Sequence, residues 1–297
     1  MSFGPYLGIN SKATQLTGGY IGVNNVAQKI VKAYIGVNGV ARLCWELSRS
    51  LHFLVDFDYI KSDGLYTLTE WKDTYKGLQS REMIVPDSSN IIYTMPVINK
   101  SYHRDMTKVV IPNSVQLSTT DFNNAFNGMR NIVSVQLPDE KITNMSHMCY
   151  YCLNLTSSPV CGENVTNMHN TYFYCYNLTG SPVCGNNVTN MSHTYYNCTN
   201  LTGPAACGPN VTNMSHTYYN CNKLTGSPVC GNNVTNMDST YFRCYNLTGP
   251  AACGPNVTSM YMTYLNCTNL TGHAACGENV TDMTSTYANC TNLTGPA

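Results

Sequence analysis

Seven leucines (Leu155, Leu178, Leu201, Leu224, Leu247, Leu270 and Leu293) stand 23 residues apart, with no insertion or deletion between them. Ile132 continues the series backwards. A unit this short cannot bury its own apolar face. Stacked neighbours bury it for one another, so stability becomes roughly a sum of nearest-neighbour terms. Equal unit length places equivalent residues above one another, roughly 4.8 Å apart if each unit is one coil. Every sequence column then becomes a ladder. Leu178, Leu201 and Leu224 belong to one, Met191 and Met214 to a second, Tyr195 and Tyr218 to a third, and Cys175, Cys198 and Cys221 to a fourth. Helical and propeller repeats are poorer fits, because their units run to about 33 to 45 residues.

The upstream stretch "VVIPNSVQLSTTDFNNAFNGMRNIVSVQLPDEKITNMSHMCYYCLNLT" resembles the BspA-like leucine-rich repeats, whose pattern is close to LxxIxIPxxVxxIxxxAFxxCxxL. The resemblance implies that Met168 takes the inward Ile position, Thr171 the Ala, Tyr172 the Phe, Cys175 the Cys and Leu178 the Leu. It covers about residues 105–297. The expected fold is therefore mainly β, a leucine-rich-repeat solenoid of 23-residue coils. One departure stands out. Where the family carries an aliphatic strand, this chain has "TGSPVCG" or "TGPAACG". Proline lacks an N–H and is tolerated mainly at strand edges and bulges, so short, irregular strands are expected there. The alternation of SPV and PAA units suggests duplication of a 46-residue pair.

Fourteen of the fifteen cysteines fall in or next to the repeat. Column neighbours roughly 5 Å apart are within disulfide reach. Parallel side chains on a ladder point the same way, however, so buried free thiols acting as small hydrophobes are the expected reading. No CxxC recurs per unit, and Cys149–Cys152 reads as packing, so no metal site is expected. The Asn164, Asn187 and Asn210 column follows a glycine-containing turn and is expected to satisfy turn backbone groups. Its N-x-S/T matches arise from the repeat and are read as unmodified. Phe173, Tyr196, Tyr219 and Phe242 stand beside the core Tyr column and should face outward. They form a candidate recognition surface, for sugars by stacking or for another copy, or else partial cover of the convex face. Between residues 150 and 297 the acids are Glu163, Asp238, Glu278 and Asp282, spread over different coils. With no close carboxylate pair, no GxSxG, no HExxH and no P-loop, neither catalysis nor a cofactor is expected.

The N-terminal half differs: residues 1–149 hold 14 of the 16 basic and 12 of the 16 acidic residues. "YIGVNNVAQKIVKA" is followed 14 residues later by "YIGVNGVARLCW". Each copy reads strand, two-residue turn, strand, and Asn38-Gly39 suits a type I′ turn. Tyr20, Ile21, Tyr34, Ile35, Asn38, Gly39 and Trp45 form a candidate attachment motif, with Trp45 covering one face. "KAYIGVNGVARLCW" at Lys32–Trp45 resembles a motif of tail structural proteins from phages and prophages of Firmicutes. The expected organisation is a β-hairpin attachment region over 1–50, a β-rich cap or adaptor over 51–104, and the solenoid over 105–297.

Net charge is zero, which argues against nucleic acid as the main partner. No apolar run approaches the ~20 residues of a membrane span, and no secretory signal is legible at Met1. The resemblances imply a non-enzymatic protein of a phage tail, fibre or baseplate, assembled in the bacterial cytoplasm and carried in the virion. The solenoid would serve there as spacer or receptor-binding surface among other tail proteins. The alternative is a BspA-like adhesin at the bacterial cell surface. Host glycan or protein is an expected partner, and near Ala297 the expectation is a second copy or another chain making an oligomer or end-to-end contact, or else a natural chain that continues.

Overall fold

The computed structural model describes residues 106–294 throughout and, upstream of them, the backbone of twelve strands. Three antiparallel pairs come first: β1 (Tyr6–Ile9) with β2 (Lys12–Gln15), β3 (Tyr20–Val23) with β4 (Val26–Lys29), and β5 (Lys32–Val37) with β6 (Val40–Glu46). Their innermost partners are Ile9 and Lys12, Val23 and Val26, and Val37 and Val40, so two residues separate the strands of each pair. Two copies of this unit, from Tyr20 and Tyr34, are plain in the sequence. "YLGINSKATQ" is a third, with Tyr6 14 residues before Tyr20. Its substitutions of Leu7, Ile9 and Lys12 hid the match. Tyr20, Ile21, Tyr34, Ile35 and Trp45 lie on β3, β5 and β6. Their side chains, including the expected cover by Trp45, and the Asn38-Gly39 turn are outside the described residues.

Next come β7 (Leu54–Asp56), β8 (Tyr59–Ile60), β9 (Tyr66–Leu68), β10 (Glu70–Lys72), β11 (Arg81–Ile84) and β12 (Ile91–Tyr93), then β13 (Met106–Val110), β14 (Gln116–Leu117) and β15 (Ser134–Gln136). β7 pairs antiparallel with β10, and β8 with β9. The rest pair in parallel: β9 with β12 and β12 with β14, β11 with β13 and β13 with β15. Ile91 lies 25 residues after its partner Tyr66, and Gln116 lies 24 after Ile92. Parallel pairing at intervals near one repeat length therefore occurs on strands upstream of residue 105 as well. These pairings are 24–26 residues apart rather than 23, and no repeated leucine marks them in the sequence.

From Asp121 the stack becomes regular. Single parallel bridges join Asp121, Asn144, Asn167, Asn190, Asn213, Asn236, Ser259 and Asp282, each to the residue 23 later. Each Asn or Asp of this column except Ser259 uses its side-chain oxygen to accept the N–H two residues on; Asn190 Oδ1, for example, accepts from Ser192 at 3.0 Å. That Asx turn opens a ribbon of consecutive turns. In the ribbon, the N–H groups of Met168, Asn170, Tyr172 and Tyr174 donate to the carbonyls of Asn190, Ser192, Thr194 and Tyr196 on the next coil, at 2.8–3.1 Å. The intervening N–H groups of Thr171, Phe173 and Cys175 donate three residues back, at 3.1–3.3 Å. Every second donor thus bonds across coils and every other one within its own coil, leaving none of these backbone donors unpaired.

The ribbon needs two left-handed residues per coil. Asn170 and Tyr174 have φ of 56° and 61°, and His193 and Asn197 repeat the pair one coil later at 56° and 60°. Left-handed backbone costs a non-glycine residue about 1–2 kcal/mol, least for Asn. The cross-coil bonds hold it in place.

The core is a set of columns. Leu178, Leu224, Met191, Met214, Tyr195, Tyr218, Cys175, Cys198 and Cys221 are wholly buried and Leu201 is 1% exposed. Among the described residues the helical content is one 3₁₀ turn, Asp139–Lys141. The short strands expected at the SPV and PAA segments are absent. Tyrosines replace them. The Tyr195 hydroxyl donates to the Val183 carbonyl and accepts from the Val183 N–H, both at 2.9 Å. Tyr218 does the same to Ala206 at 2.6 and 2.9 Å. Proline at each segment rules out a continuous ladder, and one phenol per coil satisfies the backbone groups a strand would have paired.

Candidate functional site

The buried columns leave little for chemistry. The hydroxyl of Thr194 lies 2.8 Å from the Met168 carbonyl oxygen and 2.6 Å from that of Met191, in the interior. The Cys198 thiol donates to the Tyr172 carbonyl at 3.1 Å, and Cys175 and Cys221 make the same bond one coil earlier and later. All fourteen described cysteines are free. Burial pushes every thiol of the Cys198 column for which a shift is resolved upward, and carries Cys184 and Cys230 of the second column up to about 12. Nucleophilic and metal-binding cysteine is thiolate, so these groups are poor candidates for either role. Among the described residues, no group of three or more His, Cys, Asp or Glu is placed to hold a metal ion.

Two surface features remain. The first is the aromatic strip. Phe173, Tyr196 and Tyr219 are half-buried and Phe242 is 8% exposed. Together with Tyr150 they form a single file of nearly parallel rings, centroids 4.4–4.7 Å apart. The structure brings the four predicted surface aromatics together, but in a form the sequence did not suggest. Phe173, Tyr196 and Tyr219 are each covered on both faces by neighbouring rings. Sugar stacking needs an open face, and along the file only edges and hydroxyls are offered. Beside it run His147, His169, His193 and His216. The rings of His193 and His216 stack at 4.5 Å with 4° between planes, and His169 meets both His147 and His193 edge-on. The Nδ1 atoms of His193 and His216 are buried with no hydrogen-bond partner. Desolvation, then the neighbouring His216 and His169, pulls His193 down to about 4. His147 and His216 are lowered as well, chiefly by desolvation.

The second feature was not singled out as a site from the sequence. A shallow groove of about 590 Å³ runs across successive coils, lined by Asn164, Thr166, Asn187, Thr189, Asn210, Thr212 and Asn233. The intervening valines Val165, Val188 and Val211 point into the core. Each groove asparagine donates its amide N–H to a carbonyl of the preceding coil: Asn187 to Glu163 at 2.7 Å, Asn210 to Asn186 and Asn233 to Pro209 at 2.9 Å. The expectation that this column serves turn backbone groups describes half of each amide. The threonines do likewise, Thr189 donating to the Thr166 carbonyl and Thr212 to that of Thr189, at 3.2 and 3.1 Å. Each group is therefore held in one orientation. The signal for the groove was the N-V-T triplet itself, which alternates out, in, out at the same place in every coil.

A stack of equal coils with polar ladders outside and sealed apolar ladders inside defines a repeat protein that presents surface. Family comparison agrees. The chain matches the BspA type Leucine rich repeat region, in six copies, over residues 99–225 and 193–294, and it belongs to that family. No curated protein and no solved structure matches it.

Proposed function

We propose that this chain is a non-enzymatic adhesion-type repeat protein at a bacterial cell surface, in which a solenoid of 23-residue coils displays a binding face. The family match over residues 99–294 carries this reading, since proteins of this repeat type are often surface-associated. It is supported by the contrast between sealed interior and rigid polar exterior. Binding partners under this reading are glycan or protein of an opposing surface. A second copy is a further proposed partner near Ala297.

One observation favours a second reading, a tail or baseplate component of a phage. The motif at Lys32–Trp45 falls on the β5–β6 pair, upstream of the family match. There the paired strands would attach the chain to other virion proteins and the solenoid would serve as spacer or receptor-binding surface. Quantitative mass spectrometry of density-purified phage particles beside the host cell-envelope fraction separates the two. Enrichment in the envelope supports the adhesin. Enrichment in particles, at fixed ratio to known tail proteins, replaces it with the virion role.

A further inference from the structure

We infer that the Asn/Thr groove between Asn164 and Asn233 is a binding site for a linear, uncharged polysaccharide lying along the stack axis. The inference rests on the surface-binding reading and names the ligand class and the face.

The first argument is the hydrogen-bonding balance of the groove. Each amide Nδ2 is committed to a carbonyl of the preceding coil, which fixes which way the amide faces. Among the described residues no protein donor reaches the outward Oδ1 atoms. The second N–H of each amide also remains. Each threonine hydroxyl spends its proton on a carbonyl, so its lone pairs face outward. Per coil, the groove thus offers two acceptors and one donor. Sugar hydroxyls both donate and accept, and they meet such a row without leaving a polar group unpaired.

Charge and shape narrow the choice. The groove is lined by Asn and Thr alone, with no ionisable side chain. An ionic polymer would have to give up hydration there with no counter-charge to meet it. No apolar pocket opens in the lining to read individual side chains of a peptide. The lining repeats the same Asn and Thr once per coil, at roughly 4.8 Å intervals. A site with that symmetry fits a ligand with the same symmetry, a chain of equivalent units able to engage several coils at once. The groups are already held by their bonds to the preceding coil, so little side-chain freedom is lost on binding. The aromatic strip, with its ring faces covered, does not compete for this role.

The test uses the full chain in affinity gel electrophoresis with hydroxyethyl cellulose, a mixed-linkage β-glucan, amylose and xylan, with alginate as charged control. It is followed by calorimetry with oligosaccharides of increasing length. The expected result is retardation by at least one neutral polymer and none by alginate. Affinity should rise at least tenfold as the oligosaccharide lengthens to span successive coils. T189R/T212R fills the groove from exposed positions and should weaken binding at least tenfold, with circular dichroism and melting close to wild type. If that variant loses its fold, the single T212R variant and the length dependence carry the test. No retardation by any neutral polymer, or binding that ignores both groove variant and ligand length, overturns the inference. Attachment of the protein to intact cells is measured in parallel. Cell attachment without polysaccharide binding sinks the groove proposal and leaves the adhesion reading standing, whereas loss of both removes the reading itself.

Discussion

The Tyr218 phenol reaches across its coil to both backbone groups of Ala206, and that single contact does the work a β-strand does elsewhere in the chain. Removing the oxygen leaves an N–H and a carbonyl without their partner, at a cost of about 1–3 kcal/mol. Tyr218→Phe is therefore expected to destabilise the protein by that amount in urea unfolding, although the family pattern has Phe in this column. A change within about 0.3 kcal/mol would show that solvent meets these groups equally well. Gly208 constrains the neighbouring segment. A Cβ there would lie 2.6 Å from the Gly185 carbonyl oxygen of the preceding coil, so Gly208→Ala must push two backbones apart. The expected loss is about 1–3 kcal/mol, typical of overpacking, read from the same unfolding curves. Thiol accessibility gives a third check. Of the described cysteines, exposed Cys276 should react first with a thiol reagent in the native protein, and the seven buried ones only on unfolding. Fast labelling of Cys198 or Cys221 would contradict the packing.

At the scale of the element, the turn ribbon holds His147, His193 and His216 in an environment that suits the neutral ring. His193 sits below its ordinary value, at about 4, with His147 and His216 lowered too. The sign follows directly. The unfolded chain binds protons first as pH falls through about 6.5, so stability is fully present above that and is lost as pH falls towards 4. Melting temperature should drop over this window, and His193→Asn should flatten the dependence. Asparagine already occupies the same left-handed position at Asn170, with φ of 56°, so the variant keeps the backbone. A wild-type profile that is level between pH 7 and 4 would refute the assignment. The ribbon also marks the limit of sequence reading. The columns Leu178, Met191, Tyr195 and Cys198 were legible, because apolar residues at a fixed interval have one physical explanation. The alternating donors were not. They depend on left-handed backbone at Tyr, Ser, Arg and Met as well as at His, and the first four have no local preference for it. The recurrent Asn at Asn170, Asn197, Asn220, Asn266 and Asn289 hinted at that conformation. The strands expected at Ser181–Val183 failed for a related reason: the proline was visible, but the phenol that replaces the strand comes from 12 residues downstream.

At the scale of the whole molecule, neighbouring coils are not all alike. A Cβ at Gly203 would meet Ser181, and one at Gly226 would meet Pro204, the two environments alternating again at Gly249 and Gly272. The structural unit is thus the pair of coils that the 46-residue alternation suggested. Excising one 46-residue pair leaves only interfaces of kinds already present. Such a deletion should fold cooperatively, with a smaller denaturant m-value and lower stability, since surface and nearest-neighbour terms are both removed. Excising 22 residues should instead shift every ladder by one place and abolish the cooperative transition. Equal behaviour of the two deletions would mean that register is not what holds the coils.

The uniform coil length has a consequence for heredity. Nearly identical units in tandem are prone to misalign when a gene is copied, and each misalignment adds or removes whole units. Because any pair fits against any other, the product of such an error is again a folded protein, only longer or shorter. Reach can therefore be retuned within a lineage by copying alone, without a single new side chain having to be found.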